Sequence, residues 1–205
     1  RTCLPARLRR HGRGRRGTEH REGDPRAERR GHRLQFVDQG GDLRPSSDRM
    51  RETLFNWLMW DVAGAHVLDT CAGSGALGIE ALSRGARHCV FIEADRKQAE
   101  QIKANLLQLQ CTTGKVMHAK AEQALTQLPE PVRSAGFDLV FLDPPYSLNL
   151  WTSLASLIDP LLNPAAKIYV EADRPLQQLQ LPAHWQLLKE TRAGQVYAGL
   201  YQTTR

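Results

Sequence analysis

From residue 65 onward, short apolar runs alternate with helical stripes, and that alternation leaves the chain few architectures to adopt. Ala65 to Cys71 (AHVLDTC) leads through a glycine-rich turn to a helix at Ala76 to Ser83. Cys89 to Ile92 is followed by a helix capped at Asp95 that carries Ile102, Leu106 and Leu109 on one face. A weaker strand, Lys115 to Ala119, precedes a helix ending at Leu128. Phe137 to Leu142 precedes a helix from about Leu150 to Leu161, and Ala166 to Val170 is the next strand. Runs that are apolar at every position belong to strands covered on both faces, the condition of a parallel sheet between helices. Trp185 to Lys189 and Val196 to Tyr201 instead alternate, and Thr191-Arg192-Ala193-Gly194 separates them as a hairpin turn would. The expectation is an α/β fold: a doubly wound, mostly parallel sheet closed by a C-terminal antiparallel hairpin.

Charge divides the 205 residues unevenly. Residues 1–33 hold twelve arginines, no lysine and four acids, a net +8, so the other 172 residues carry −2 of the whole-chain +6. With almost nothing apolar in it, this segment reads as a flexible basic arm ahead of a domain spanning 34–205. The arm suits docking on RNA phosphates, and a merely solvated leader has the same composition. Leu34 to Val37 reads as a short strand before a Gly-Gly turn. A helix start follows at Pro45 to Asp48, with Met50, Leu54, Trp57 and Leu58 forming one apolar stripe. Arg44, Arg49 and Arg51 flank it, as phosphate contacts or as a charged outer face. Four dispersed cysteines without CxxC pairing read as reduced thiols. Seven scattered histidines give no metal-ligand spacing, and no run approaches the roughly 20 apolar residues of a membrane span. These features predict a cytoplasmic protein without a metal.

Two strand ends carry cofactor signals. Gly73-Ser74-Gly75-Ala76-Leu77-Gly78 matches GxGxxG between a strand and a helix, where glycines permit a tight turn and the helix N-terminus favours an anionic group. Asp69 precedes the turn, as a cofactor contact or as a turn-capping acid. Glu93, at the tip of the second strand, is placed to accept both hydroxyls of a ribose. A nicotinamide dinucleotide and S-adenosylmethionine share that ribose, so these residues indicate a nucleoside cofactor without choosing between the two.

A third strand end carries a different signal. The run Leu139-Val140-Phe141-Leu142 stops at Asp143-Pro144-Pro145-Tyr146. Consecutive prolines stiffen the corner and remove backbone donors, leaving a carboxylate, free carbonyls and an aromatic ring. Two acceptors on a nucleobase exocyclic amine free its lone pair, and the ring offers a stacking face for an extruded base. The plainer alternative is a turn with a solvated acid.

Five blocks carry a family resemblance: LRPSSDRMRETLFNWL (43–58), VLDTCAGSGALGIEALSRGA (67–86), FDLVFLDPPY (137–146), IYVEAD (168–173) and AGQVYAGLYQ (193–202). In this order they resemble the RsmD-like group of class I S-adenosylmethionine-dependent methyltransferases, which act on N2 of a guanine in 16S ribosomal RNA. The resemblance covers about residues 31–205 and implies a Rossmann-like seven-stranded sheet. It implies S-adenosylmethionine lined by Asp69, Gly73 and Gly75, with Glu93 on the ribose. Asp143 and Pro144 would bind the amine within the corner completed by Pro145, and Tyr146 would stack on the base. Arg44, Arg49 and Arg51 would lie at the RNA entrance, with 16S ribosomal RNA or the small subunit as partner and the protein a monomer. No adenine contact is carried over at Lys120-Ala121, where the family has a polar or acidic residue.

Three other readings compete. An adenine-N6 DNA or RNA methyltransferase shares the corner chemistry, although the chain has no room for a DNA-reading domain. A nicotinamide-dependent oxidoreductase accounts for GxGxxG and Glu93 but lacks a Tyr/Lys proton relay and leaves the Pro-Pro corner unexplained. A non-catalytic RNA-binding module would work through the arginine arm alone.

Overall fold

The computed structural model describes residues 45–204, and side chains from Asp48 onward. The expected arm, the strand at Leu34 to Val37 and Arg44 lie outside the described residues. Seven strands form one sheet: β1 (His66–Asp69), β2 (His88–Glu93), β3 (Gly114–His118), β4 (Phe137–Leu142), β5 (Leu162–Ala172), β6 (Trp185–Ala193) and β7 (Val196–Thr203). Their order is β3-β2-β1-β4-β5-β7-β6, parallel except for β7, which runs antiparallel to both its neighbours.

Period-2 alternation on strands covered twice explains why each run is apolar throughout. Val67, Cys89, Phe91, Leu139, Phe141 and Tyr169 face helices α1 (Pro45–Trp57), α2 (Ala76–Ser83) and α3 (Arg96–Gln108). Leu68, Val90, Ile92, Val140, Leu142, Ile168 and Val170 face the other way, towards α4 (Ala121–Thr126) and α6 (Trp151–Ile158). The stripe on α1 buries Met50, Leu54 and Leu58, together with Phe55, whose ring meets Phe141 edge-on at 6.1 Å.

Local departures from the sequence expectations have local causes. A short helix, α5 (Glu130–Ala135), starts behind Pro129 with Pro131 in its first turn, a position where proline's missing N–H costs nothing. β5 begins four residues before Ala166. A register shift between Phe137 and Leu139 and a left-handed Ala165 (φ 59°) absorb the extra length. The hairpin turn is tighter than the sequence suggests. β6 runs through Ala193, and only Gly194 (φ 61°) and Gln195 lie between the Ala193–Val196 pair.

The strand order reverses between β1 and β4, because the chain leaves β1 towards β2 and β3 and returns to β4 and β5. At such a switch point the two connections diverge and open a crevice at the carboxyl ends. The glycine turn, the tip of β2 and the Pro-Pro corner all emerge there.

Candidate active site

A cavity of about 700 Å³ opens at that edge. One end is walled by Gly73, Glu93, Gln98 and the Ala119–Glu122 segment, the other by Asp143 to Tyr146, Leu148, Leu150 and Glu171, with Thr70 and Cys71 between. Its lining carries four carboxylates, Glu93, Glu122, Asp143 and Glu171, against one cation, Lys120. Such a lining attracts a cationic ligand and repels a pyrophosphate.

The end at Gly73 and Glu93 is built from backbone. Gly73 (φ 54°) and Gly75 (φ 78°) turn the chain through the left-handed region, which lets Gly75 cap α2. The Gly73 N–H donates to Glu93 Oε2 at 2.7 Å, and the Asp95 N–H donates to Oε1 at 2.6 Å. These bonds fix the carboxylate at the cavity wall, and each oxygen keeps a second lone pair for a ligand. Asp69 and Gly75 do not border the cavity. Asp69 is buried beneath the turn and accepts the Gly78 N–H at 3.1 Å, so its carboxylate braces the first turn of α2. Burial and the nearby Glu93 charge push the Asp69 carboxyl up to about 7, with the Gly78 hydrogen bond opposing them. Gly75 is packed against Ile102, which leaves no space for a Cβ.

At the other end the corner presents Asp143, partly exposed to the cavity. Burial and the charges of Glu171 and Asp69 push its carboxyl well above the usual carboxylate range. Tyr146 lies stacked on Trp151 (centroids 6.0 Å apart, planes at 28°) and donates its hydroxyl to Glu171 Oε1 at 3.0 Å. Tyr169 donates to Glu171 Oε2 at 2.8 Å, and the Trp151 indole N–H donates to the Glu171 carbonyl at 2.8 Å. Burial raises both tyrosines far above their ordinary value, so they act as donors. Cys71 is likewise pushed up to about 12 by burial and is an unreactive part of the wall.

Sequence reasoning gave no role to Glu171, Tyr169, Trp151 or Arg174. Glu171 had a legible signal, an acid at the tip of the strand after the Pro-Pro corner. Arg174 lies 5.0 Å over the Trp151 ring and bonds Asp173 at 2.8 Å. Arg49 is exposed and Arg51 pairs with Asp48 at 2.8 Å, and neither borders the cavity. Among the described residues no three His, Cys, Asp or Glu side chains could hold a metal ion.

Fold and site together define a Rossmann-like methyltransferase: a switch-point crevice with a glycine turn, an acid on β2 and an Asp-Pro-Pro-Tyr corner on β4. Residues 27–202 match the family described as Conserved hypothetical protein 95. The chain is 43% identical over 175 residues to ribosomal RNA small subunit methyltransferase D of Haemophilus influenzae, covering 84% of this chain and 89% of the relative. The protein of that name from Escherichia coli is 41% identical over 175 residues, covering 84% and 85%. The structure of the Escherichia coli protein yhhF superposes with a TM-score of 0.71 at 40% identity, covering 78% of this chain and 88% of that one. The chain belongs to this family, the RsmD-like methyltransferases.

Proposed function

We propose that the protein methylates the exocyclic N2 amine of a guanine in 16S ribosomal RNA, with S-adenosylmethionine as methyl donor. The observation that carries this reading is the acid-lined cavity joining the glycine turn to the Pro-Pro corner. Four carboxylates and one lysine suit a sulfonium and an amine, and they oppose the pyrophosphate of a nicotinamide dinucleotide.

In this reading Gly73 and Glu93 hold the cofactor, Glu93 through its remaining lone pairs on the ribose hydroxyls. Asp69 and Gly75 act from behind the wall by fixing the turn. Bound there, S-adenosylmethionine supplies a methyl already activated on a sulfonium, so the protein's contribution is mainly positioning. Asp143 and the Pro144 carbonyl accept the two amine N–H bonds, which pyramidalises N2 and frees its lone pair. The cofactor would supply the methyl to that lone pair, its sulfur keeping the electron pair of the bond it gives up. The surplus N2 proton passes, after the methyl, to ionised Asp143 or to water. Pro145 stiffens the corner, and Tyr146, fixed by Trp151 and Glu171, stacks on the base. Arg44, Arg49 and Arg51 contact RNA away from the reacting end, with residues 1–33 as a basic arm ahead of the 34–205 domain. The protein works as a cytoplasmic monomer on 16S RNA or the small subunit.

Titration calorimetry with S-adenosylhomocysteine and with NAD tests the cofactor. Binding of the first alone is expected, and binding of NAD alone overturns the reading. Labelled methyl transfer to small subunits lacking the modification, followed by mass spectrometry of the nucleosides, tests the substrate.

A further inference from the structure

In the proposed reaction Asp143 and Pro144 supply the two acceptors for the amine. Glu171 is a further carboxylate in the same wall with no part in that step. β4 and β5 are parallel neighbours paired through Leu142 and Val170, so the next residues, Asp143 and Glu171, stand side by side at the carboxyl edge. Both border the cavity.

Three hydrogen bonds hold Glu171 in place. Tyr146 and Tyr169 each donate to one carboxylate oxygen, and Trp151 holds the backbone carbonyl. A carboxylate offers about four acceptor sites, so two remain after the tyrosines are served. A long side chain that would otherwise sample many rotamers is thus fixed as an acceptor beside the amine position. It needs a donor from the ligand, and the donor must adjoin the amine.

The purines differ at that point. Beside its 2-amine, guanine carries a ring N1–H donor. Beside its 6-amine, adenine carries a bare N1 acceptor, which would face a carboxylate lone pair. We infer that Glu171 reads the ring N–H adjoining the target amine and thereby selects guanine over adenine, with Tyr169 as its positioning residue. This rests on the proposed function and adds the specificity determinant that the Asp-Pro-Pro-Tyr corner, common to both amine chemistries, lacks.

The test uses small subunits reconstituted with 16S RNA in which the guanine methylated by the wild-type protein is kept or replaced by 2-aminopurine. The analogue retains the 2-amine and has no hydrogen on N1. A site built to bond a substrate N–H rejects an analogue lacking it by about 10⁴-fold in kcat/KM. The wild-type protein is therefore expected to prefer guanine by at least about 10³-fold. In Glu171→Gln the amide can donate to the bare N1, and the preference is expected to fall to within about tenfold, with 2-aminopurine turnover above that of wild type. Tyr169→Phe, which keeps the ring and frees the carboxylate, should lower the preference by about tenfold and serves if the Gln variant does not fold.

An unchanged guanine preference in the variants, with both substrates slowed equally, overturns the inference and leaves Glu171 as a brace for the tyrosines. Wild-type turnover of 2-aminopurine equal to that of guanine overturns it as well. A wild-type protein inactive on guanine subunits is a different result, because it removes the proposed function itself.

Discussion

Replacing Asp143 by asparagine should separate catalysis from stability. The side chain faces the like charges of Glu171 and Asp69 in a buried setting, so the folded state holds its proton well above the usual carboxylate range. Between that range and the raised folded value, the folded protein binds more protons than the unfolded chain. Unfolding free energy then falls as pH rises, by about 1.4 kcal/mol for each unit traversed. Asparagine has nearly the same shape and stays neutral, and its amide can donate to the neighbouring carboxylate. Asp143→Asn should therefore be more stable than wild type at pH 8, with Tm raised by about 2–4 °C for each 1 kcal/mol gained in a chain of this size. The gain should shrink at pH 5. Activity should move the opposite way. The amide oxygen still accepts one amine N–H but cannot take the proton, and losing one preorganised partner in a water-excluded site costs about 10²–10³ in kcat. Melting at pH 5 and pH 8, S-adenosylhomocysteine titration and single-turnover methyl transfer together provide the assay. Cofactor affinity should stay within about threefold, since the proposed cofactor contacts are Gly73 and Glu93 and not Asp143. A variant that melts lower at pH 8 and loses cofactor binding would refute the argument, making Asp143 a structural residue. Retained kcat would place it away from the reacting amine.

Two further perturbations probe the wall behind the glycine turn. Asp69 holds its proton up to about pH 7 in the folded protein against about 3.8 unfolded. Wild-type stability should therefore fall by about 2–3 kcal/mol between pH 5 and 7, and Asp69→Asn, which still accepts the Gly78 N–H, should lose that part of the slope in urea melts. Equal slopes in the two proteins would count against a buried, protonated Asp69. Gly78 packs α2 directly on β2, and a Cβ there would lie 2.2 Å from Phe91 Cε1 and 2.8 Å from Cys89 Sγ, both fully buried. Gly78→Ala should cost about 1–3 kcal/mol and lower Tm by several degrees, and a melt within 1 °C of wild type would show that the helix can lift off at little cost.

Much of this architecture is legible in the sequence because it depends on residue type and period alone. Runs buried on two faces are apolar at every position, so β1, β2, β4 and the end of β5 can be read directly. The glycine turn needs positive φ at Gly73 and Gly75, and Pro144-Pro145 must break β4, so both corners are written locally. The bulge that lets β5 start early could not be read, because it depends on pairing with β4. Only the tertiary structure decides which strand tips become neighbours. By placing β5 beside β4, it turns Glu171 from an ordinary strand-end acid into the partner of Asp143, held by two tyrosines distant from one another in sequence. It also decides where a side chain at a strand tip points. Asp69 turns under the helix because Gly78 offers an N–H there, and Glu93 reaches the wall because the turn's Gly73 N–H and its own neighbour Asp95 hold it. A side chain's direction at the end of a strand follows from the donors that surrounding elements bring to it, and those elements are set by the packing of the whole sheet.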